Sequence, residues 1–341
     1  PNIEFKLYEP LNPFKAWTWN NRLHDKMIIV DDKMAMIGGR NIGDKYFADN
    51  EYLDFGYDGF TVNDRDVVII NTDEADPLGS AIYEMKQYYN EVWGHKFSQY
   101  PVKKLTDRQC SRGKAMAESL DANLKQIREK YPQLFESIDW GDMSVATNKV
   151  TLINNPIQRL NKEPWCWYEI VNLAEQAEES IFVQSPYVLP TRKMLRNIDD
   201  VKALASKTDI LTNSIAINPN PMGTAGYVTK RKEIIDAGAK VYEFQGPGSI
   251  HAKSYIFDDR ISLVGSFNMD ARSAYLSTET MVVIDSEEFA DILKGEIQKH
   301  KNNSLLVAED YSYVENLLVK EEAISWKKRL LLRFLSVIAY I

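Results

Sequence analysis

The sequence predicts an α/β protein made of two pseudo-symmetric lobes, the first incomplete at its N-terminus, and three observations carry that reading. A twenty-residue segment recurs: HDKMIIVDDKMAMIGGRNIG from His24 aligns without gaps on HAKSYIFDDRISLVGSFNMD from His251, 227 residues later, with seven identities. A repeat of this kind governs the topology, so it comes before any local assignment. Each copy reads as two short strands around an Asp-Asp turn, Asp31-Asp32 or Asp258-Asp259. Upstream of the second copy, strand-type runs alternate with helix-type runs, the pattern of a layered α/β fold.

In chain order, IEFKLYEP is the first strand, and its Tyr8-Glu9 resembles Tyr242-Glu243 ahead of the second copy. The first hairpin follows, then DVVII as a further strand and a helix over residues 75–93. Residues 101–145 are charged and amphipathic with few strand signals, as a helical connector is. The second lobe opens on TLINN and continues through a helix over 167–179, the strand IFVQS and a helix near 191–206. DILTNSIAI, a helix over 226–237 and KVYEF then lead to the second hairpin. The organisation expected is a first lobe over 1–100, the connector over 101–145, a second lobe over 146–315 and a basic, apolar C-terminal helix over 316–341. If the two repeats were equal, the first would lack about a hundred upstream residues, so the natural N-terminus is expected to precede Pro1.

Composition narrows the function. With 341 residues, 44% hydrophobic and 26% charged, disorder, collagen and coiled coil are excluded. Two cysteines, Cys110 and Cys166, without C-x-x-C spacing, and only four histidines make neither a disulfide framework nor a zinc set, so no metal is expected. His95 and His300 fall on helix-type stretches without a partner at ligand spacing, and Cys166 in PWCWYEI reads as a packed small residue. A net charge of −8 supplies no global field for polyphosphate, so nucleic acid is not an expected partner, although a local basic patch stays open. No run of 18 apolar residues spans a bilayer, and PNIEFKLYEP reads as a strand rather than a leader.

The chemistry lies in the repeat. Each copy contains H-x-K-x4-D followed by Gly and Asn: His24, Lys26, Asp31, Gly38 and Asn41, then His251, Lys253, Asp258, Gly265 and Asn268. Chance supplies about 0.02 matches to the first three letters in such a chain, so two matches at equivalent positions are specific. On a strand, residues i and i+2 share a face, so each His projects with its Lys. Two such strands facing each other bring two imidazoles and two ammoniums to one pocket.

That set suits a phosphodiester. One imidazole attacks phosphorus to form a phosphohistidine while the other protonates the departing alkoxide. Lys26 and Lys253, with the amides of Asn41 and Asn268, hold the nonbridging oxygens. Neither task requires a cofactor. A carboxylate on the far ring nitrogen fixes each tautomer, and the candidates are Glu279, ahead of TMVVID, and Asp64, ahead of DVVII. Asp31 and Asp258 read as turn-capping side chains before catalytic ones.

HDKMIIVDD and HAKSYIFDD, with GGRN and GSFN, make the chain resemble the phospholipase D superfamily, whose members join two such motifs at a pseudo-twofold interface. The resemblance implies α/β/α lobes with mixed sheets, a supporting role for Ser266 in GSFN, and attack by His24 with acid catalysis by His251. NPF at 12–14, GGRNIGDKYF at 38–47, SPYVLP at 185–190, AGYVTKRKEIIDAGAKVYEF at 225–244 and GSFNMDARSAYLSTE at 265–279 are similar to bacterial cardiolipin synthases. The function this implies is a cofactor-free phosphatidyltransferase acting on phospholipids at the bacterial plasma membrane. Its alternatives are a phospholipase D-type hydrolase or nuclease of the same superfamily, and a noncatalytic lipid-binding or scaffold domain.

Around the motifs, Arg22 and Arg40 are candidates to meet a second phosphate. Trp17, Trp19 and Tyr187 are candidates to exclude water and rim the site for acyl chains, the two tryptophans reading equally well as core. ISWKKRLLLRFLSVIAYI sets Trp326, Lys327, Lys328, Arg329 and Arg333 ahead of an apolar run, a composition suited to the headgroup boundary or to a docked terminal helix.

Overall fold

The computed structural model describes residues 3–47, 59–72, 78–101, 104–196 and 198–339. Three strands of the first copy, β1 (Met27–Val30), β2 (Met34–Gly38) and β3 (Asp66–Ile70), form an antiparallel sheet in the order β1-β2-β3. Helix α1 (Ala81–Gly94), capped by the Ser80 hydroxyl, follows, and then α2 (Asp107–Lys130), opened by a Thr106/Gln109 capping box. Helix α2 buries none of its residues, as its charged sequence requires. The first residues of the helix expected over 75–93 lie outside the described residues.

Eight further strands form one mixed sheet, beside short two-stranded pairings. In chain order, β4 (Lys149–Asn154) is followed by helix α3 (Trp165–Gln176), β5 (Ile181–Gln184) and β6 (Thr208–Asn213). Next come helix α4 (Pro221–Asp236), β7 (Lys240–Phe244), β8 (Ser254–Phe257), β9 (Ile261–Gly265), β10 (Thr280–Asp285), helix α5 (Glu287–Lys301) and β11 (Ser304–Leu306). The spatial order is β11-β7-β6-β5-β8-β9-β10-β4, with β5, β6 and β7 parallel and the other pairs antiparallel.

Side chains alternate across this sheet, and the alternation divides the core. Ile181, Val183, Ile210, Tyr255, Phe257 and Leu263 point to a cluster covered by α3 and α4. Phe182, Leu211, Ile256, Val264 and Val282 point to the other face, in one cluster with Ala290, Leu293 and Ile297 of α5 and Ile82 and Met85 of α1. Ala35, Ile37 and Val67 of the small sheet join this second cluster, so both copies share one core. The α/β class expected from the sequence is what the chain adopts, with helices on both faces of a large mixed sheet.

The two hairpins superimpose by number. Met27 pairs with Ile37 and Ser254 with Val264, each 227 residues on, and Gly38 opposite Asp66 matches Gly265 opposite Met281. Asp31, Asp32, Asp258 and Asp259 all have positive φ, 50° to 57°, the handedness a tight hairpin turn demands and Asp tolerates. Gly265 is needed for the close approach of strands: a Cβ there would lie 2.2 Å from the Thr280 carbonyl oxygen.

Several boundaries differ from expectation. The helix near 191–206 is two short pieces, Arg192–Leu195 and Val201–Ser206, because Asp200 accepts from the Ala203 amide and starts a new helix. IEFKLYEP pairs only at Leu7–Tyr8, against Ser98–Gln99, and DILTNSIAI leaves the sheet after Asn213. The C-terminal helix α6 (Trp326–Ala339) packs on α4, with Leu332 buried. Among the described residues no helix is long and apolar enough to cross a membrane.

Candidate active site

The site forms where the ends of the two hairpins meet. The residue before each motif histidine makes a parallel bridge to the residue before a carboxylate of the opposite copy: Leu23 with Thr278, and Ile250 with Asn63. Backbone bonds fix both junctions. Thr278 N donates to Arg22 O at 2.9 Å, and His251 N to Asn63 O at 2.7 Å.

This crossing hands each histidine the carboxylate of the other copy. Nδ1 of His24 lies 2.8 Å from Glu279 Oε2, and Nδ1 of His251 lies 2.6 Å from Asp64 Oδ2. With Nδ1–H donating to carboxylate, the Nε2 lone pair is turned away from the acid, the orientation a nucleophile or acid–base group needs. Lys26 Nζ donates to the His24 carbonyl and Lys253 Nζ to the His251 carbonyl, so each lysine curls onto its own motif. Lys253 feels the charge of Lys26 as well as of Asp64 and Glu279, which makes the four motif side chains one electrostatic cluster.

Burial sets the protonation. Removal from water pushes the Lys253 ammonium down to about 7, in spite of Asp64. Lys26 moves in the same direction for the same reason, opposed by Glu279 and Asp25. Burial, reinforced by the Lys253 charge, takes the His251 imidazole down to about 4, so it is neutral near pH 7 in the unliganded site. Burial alone would raise the Asp64 carboxyl, but the His251 hydrogen bond and the Lys253 charge outweigh it and hold Asp64 below the usual range. The rings are unequal in access: the side chain of His24 is 28% exposed and that of His251 13%.

The supporting residues differ between copies. Ser266 Oγ donates to Glu279 Oε2 at 2.5 Å and accepts from Thr280 N at 3.1 Å. Its counterpart is Gly39, where a Cβ would come 2.4 Å from Asp64 Oδ1. Asn268 is buried and bonded through its amide to Ser273, whereas Asn41 Nδ2 donates to Tyr46 OH at 2.9 Å. Asp258 stands apart from the site and accepts from the amides of Glu178, Glu179 and Ser180. Asp31 is exposed in its turn.

The expected substrate-binding residues are dispersed. The Arg40 guanidinium is engaged by Asp66 Oδ2 at 2.6 Å, by Asp64 O and by Tyr46 O, so its bonds hold the first-copy loop together. Arg22 gives its carbonyl to Thr278, and among the described residues no hydrogen bond or ion pair engages its guanidinium. Trp17 and Trp19 are both exposed, which separates them from the core, and Trp19 Nε1 donates to Asn12 O. Tyr187 packs against Gly223, bonds Asn220, and feels Tyr46 and Asp270.

Four further residues belong to the neighbourhood. Tyr46 stands edge-on to the His251 ring at 5.4 Å; its signal was GGRNIGDKYF, where it follows the motif. Arg65, half-buried, ties the Asp64 turn to Gln184 and Ser254 of the other copy. Asp25 and Lys162 lie behind Glu279, and burial lowers Lys162 to about 8. Lys162 carries no motif, so nothing in the sequence marks it. Among the described residues no group of His, Cys, Asp or Glu could hold a metal ion.

Two histidine-lysine pairs with crossed carboxylates are the arrangement that the motifs' resemblance to the phospholipase D superfamily implies. Residues 170–301 match the family described as cardiolipin synthase, PLD-like domain, which bears out the resemblance read from the motifs. Over 99% of its length the chain is 26% identical to Cardiolipin synthase C of Escherichia coli, covering 78% of that protein. Over 89% it is 25% identical to an uncharacterized protein of Helicobacter pylori, of which it spans 64%. Its fold is similar to that of phosphatidylserine synthase from Haemophilus influenzae, with a TM-score of 0.57 and 16% identity over 93% of this chain and 69% of that one.

Proposed function

We propose that the protein is a phosphatidyltransferase that forms cardiolipin or a related phospholipid through a covalent phosphohistidine, acting at a membrane surface. The observation that carries the reading is the reciprocal pairing of His24 with Glu279 and His251 with Asp64. It creates two oriented imidazoles flanked by two lysines, and a phosphodiester needs one group to attack and another to protonate the leaving oxygen.

In this mechanism Nε2 of His24, the more accessible ring, attacks phosphorus. The P–N bond forms as the P–O bond to the headgroup breaks, and His251 gives its proton to the departing alkoxide. His251 needs that proton first. A phosphodiester anion between Lys26 and Lys253 offsets the charge that keeps the free imidazole neutral, so substrate binding raises its affinity for a proton. In the second half-reaction a lipid hydroxyl loses its proton to His251, attacks phosphorus and releases His24. Tyr187 and Tyr46 narrow the approach for water, which is far more concentrated than any lipid acceptor. Arg22 meets the acceptor phosphate.

The relatives' printed names, Cardiolipin synthase C and phosphatidylserine synthase, support transfer between phospholipid headgroups as the reaction class. The test is product analysis with phosphatidylglycerol vesicles. Cardiolipin plus glycerol in excess of phosphatidic acid is expected, and dominant phosphatidic acid under acceptor saturation would replace the transferase with a phospholipase.

A further inference from the structure

The C-terminal helix α6 has two apolar sides, and only one of them meets protein. Leu332 is buried toward α4, while Trp326, Leu330 and Phe334 are 71%, 62% and 67% exposed. Their spacing of four residues aligns them in one stripe along the outer face of the helix. Leu317 and Leu318, both above 90% exposed, precede it. Isolated exposed apolar residues are ordinary, but five large ones on one short stretch of chain are not.

Charge accompanies the stripe. The helix carries Lys327, Lys328, Arg329 and Arg333 and no acidic residue, in a chain whose net charge is −8. Among the described residues no ion pair engages Lys327, Arg329 or Arg333, the nearest acids in sequence being Glu321 and Glu322 ahead of the helix. Lys328 is used differently: its Nζ donates to Ala216 O at 2.7 Å and Asn218 O at 2.8 Å, which pins the start of α6 to the loop before α4.

That loop leads to the catalytic pocket. Asn218 Nδ2 reaches Pro186 O, and the next residue, Tyr187, neighbours Tyr46, which stands on the His251 ring. Exposed Met222 at the start of α4 and Ile42 in the first-copy loop add apolar surface around the same mouth.

We infer that the outer face of α6 is a seat for an anionic lipid bilayer, and that Lys328 holds this seat beside the catalytic mouth. The inference rests on the phospholipid reading of the site and names its partner surface. Trp326, Leu330 and Phe334 enter the headgroup boundary while Lys327, Arg329 and Arg333 meet lipid phosphates, so a lipid reaches the site without leaving the membrane. An amphipathic helix of this kind binds by apolar burial and by charge together, and salt weakens it.

Three readouts separate the possibilities: flotation with vesicles of phosphatidylglycerol and phosphatidylcholine, turnover of bis(p-nitrophenyl) phosphate in solution, and the thermal midpoint. In Leu330→Glu/Phe334→Glu, vesicle binding should fall about tenfold or more, with soluble turnover and midpoint unchanged, because the replaced side chains are already in water. Lys327→Glu/Arg333→Glu should bind weakly and lose the salt dependence. Unchanged flotation of both variants overturns the seat. So does a shift from dimer to monomer in either variant without loss of flotation, which would make the stripe a contact between two copies. If the wild-type protein turns over neither soluble nor vesicular phosphodiester but floats through the stripe, the enzymatic reading fails and the seat stands.

Discussion

Glu279 accepts a hydrogen bond from Nδ1 of His24 at 2.8 Å although 255 residues separate them in the chain. The reciprocal bond, Asp64 to His251, crosses the other way over 187 residues. Each histidine is therefore oriented by the copy it does not belong to, and neither half of the repeat holds a complete histidine-carboxylate pair of its own.

Removing either carboxylate's charge should disable the site without dismantling it. Glu279→Gln and Asp64→Asn retain shape, but a neutral amide can present its NH2 to the ring and reverse the tautomer. By analogy with other histidine-carboxylate pairs, headgroup release should fall roughly 10²- to 10⁴-fold. Steady-state rates on phosphatidylglycerol check this, with circular dichroism as the folding control. A wild-type rate in either variant would detach the carboxylates from the chemistry.

The roles of the two rings are open to a trapping experiment. With an activated substrate whose leaving group needs no proton, His251→Ala should accumulate a radiolabelled phosphoenzyme and His24→Ala should not. The opposite result reverses the assignment and makes the neutral, less exposed His251 the nucleophile.

The difference between Gly39 and Ser266 is predicted to be functional. A Cβ at residue 39 would sit 2.4 Å from Asp64 Oδ1, so Gly39→Ser displaces that carboxylate, costing about 1–3 kcal/mol of stability and most of the activity. Ser266→Gly deletes one hydrogen bond to Glu279, a loss of about 1–3 kcal/mol to a charged acceptor. Urea midpoints and rates on both variants test the asymmetry; a benign Gly39→Ser would refute it.

Lys253 gives a signed pH dependence. Its folded pKa of about 7 lies below the usual 10.5, so the cost of the buried ammonium is present in full below pH 7 and is relieved between 7 and 10.5, where only the unfolded chain keeps the proton. Wild-type stability should therefore rise relative to Lys253→Met as the pH climbs through that window. In the same direction KM should rise above pH 7, since the neutral amine no longer holds the phosphate. A midpoint difference independent of pH would refute the shift.

Much of this site was legible because it is written twice. The 227-residue offset pairs His24 with His251 and Lys26 with Lys253, and the carboxylates are matched by their places, Asp64 ahead of DVVII and Glu279 ahead of TMVVID; the strands themselves begin just after each His-Lys pair, at Met27 and Ser254. The α/β class followed from alternating runs, since burial of a sheet between helices imposes them. The sequence leaves undecided which carboxylate serves which histidine, because that depends on two parallel bridges between segments hundreds of residues apart. Arg40 and Lys162 were illegible for a related reason. An arginine's reach and a lysine's burial are set by what folds against them, and Asp66 and the core around Glu279 reach them only in the tertiary structure. The terminal helix divides the same way: its composition declares it amphipathic, and packing against α4 decides that Leu332 turns inward while Trp326, Leu330 and Phe334 remain in solvent.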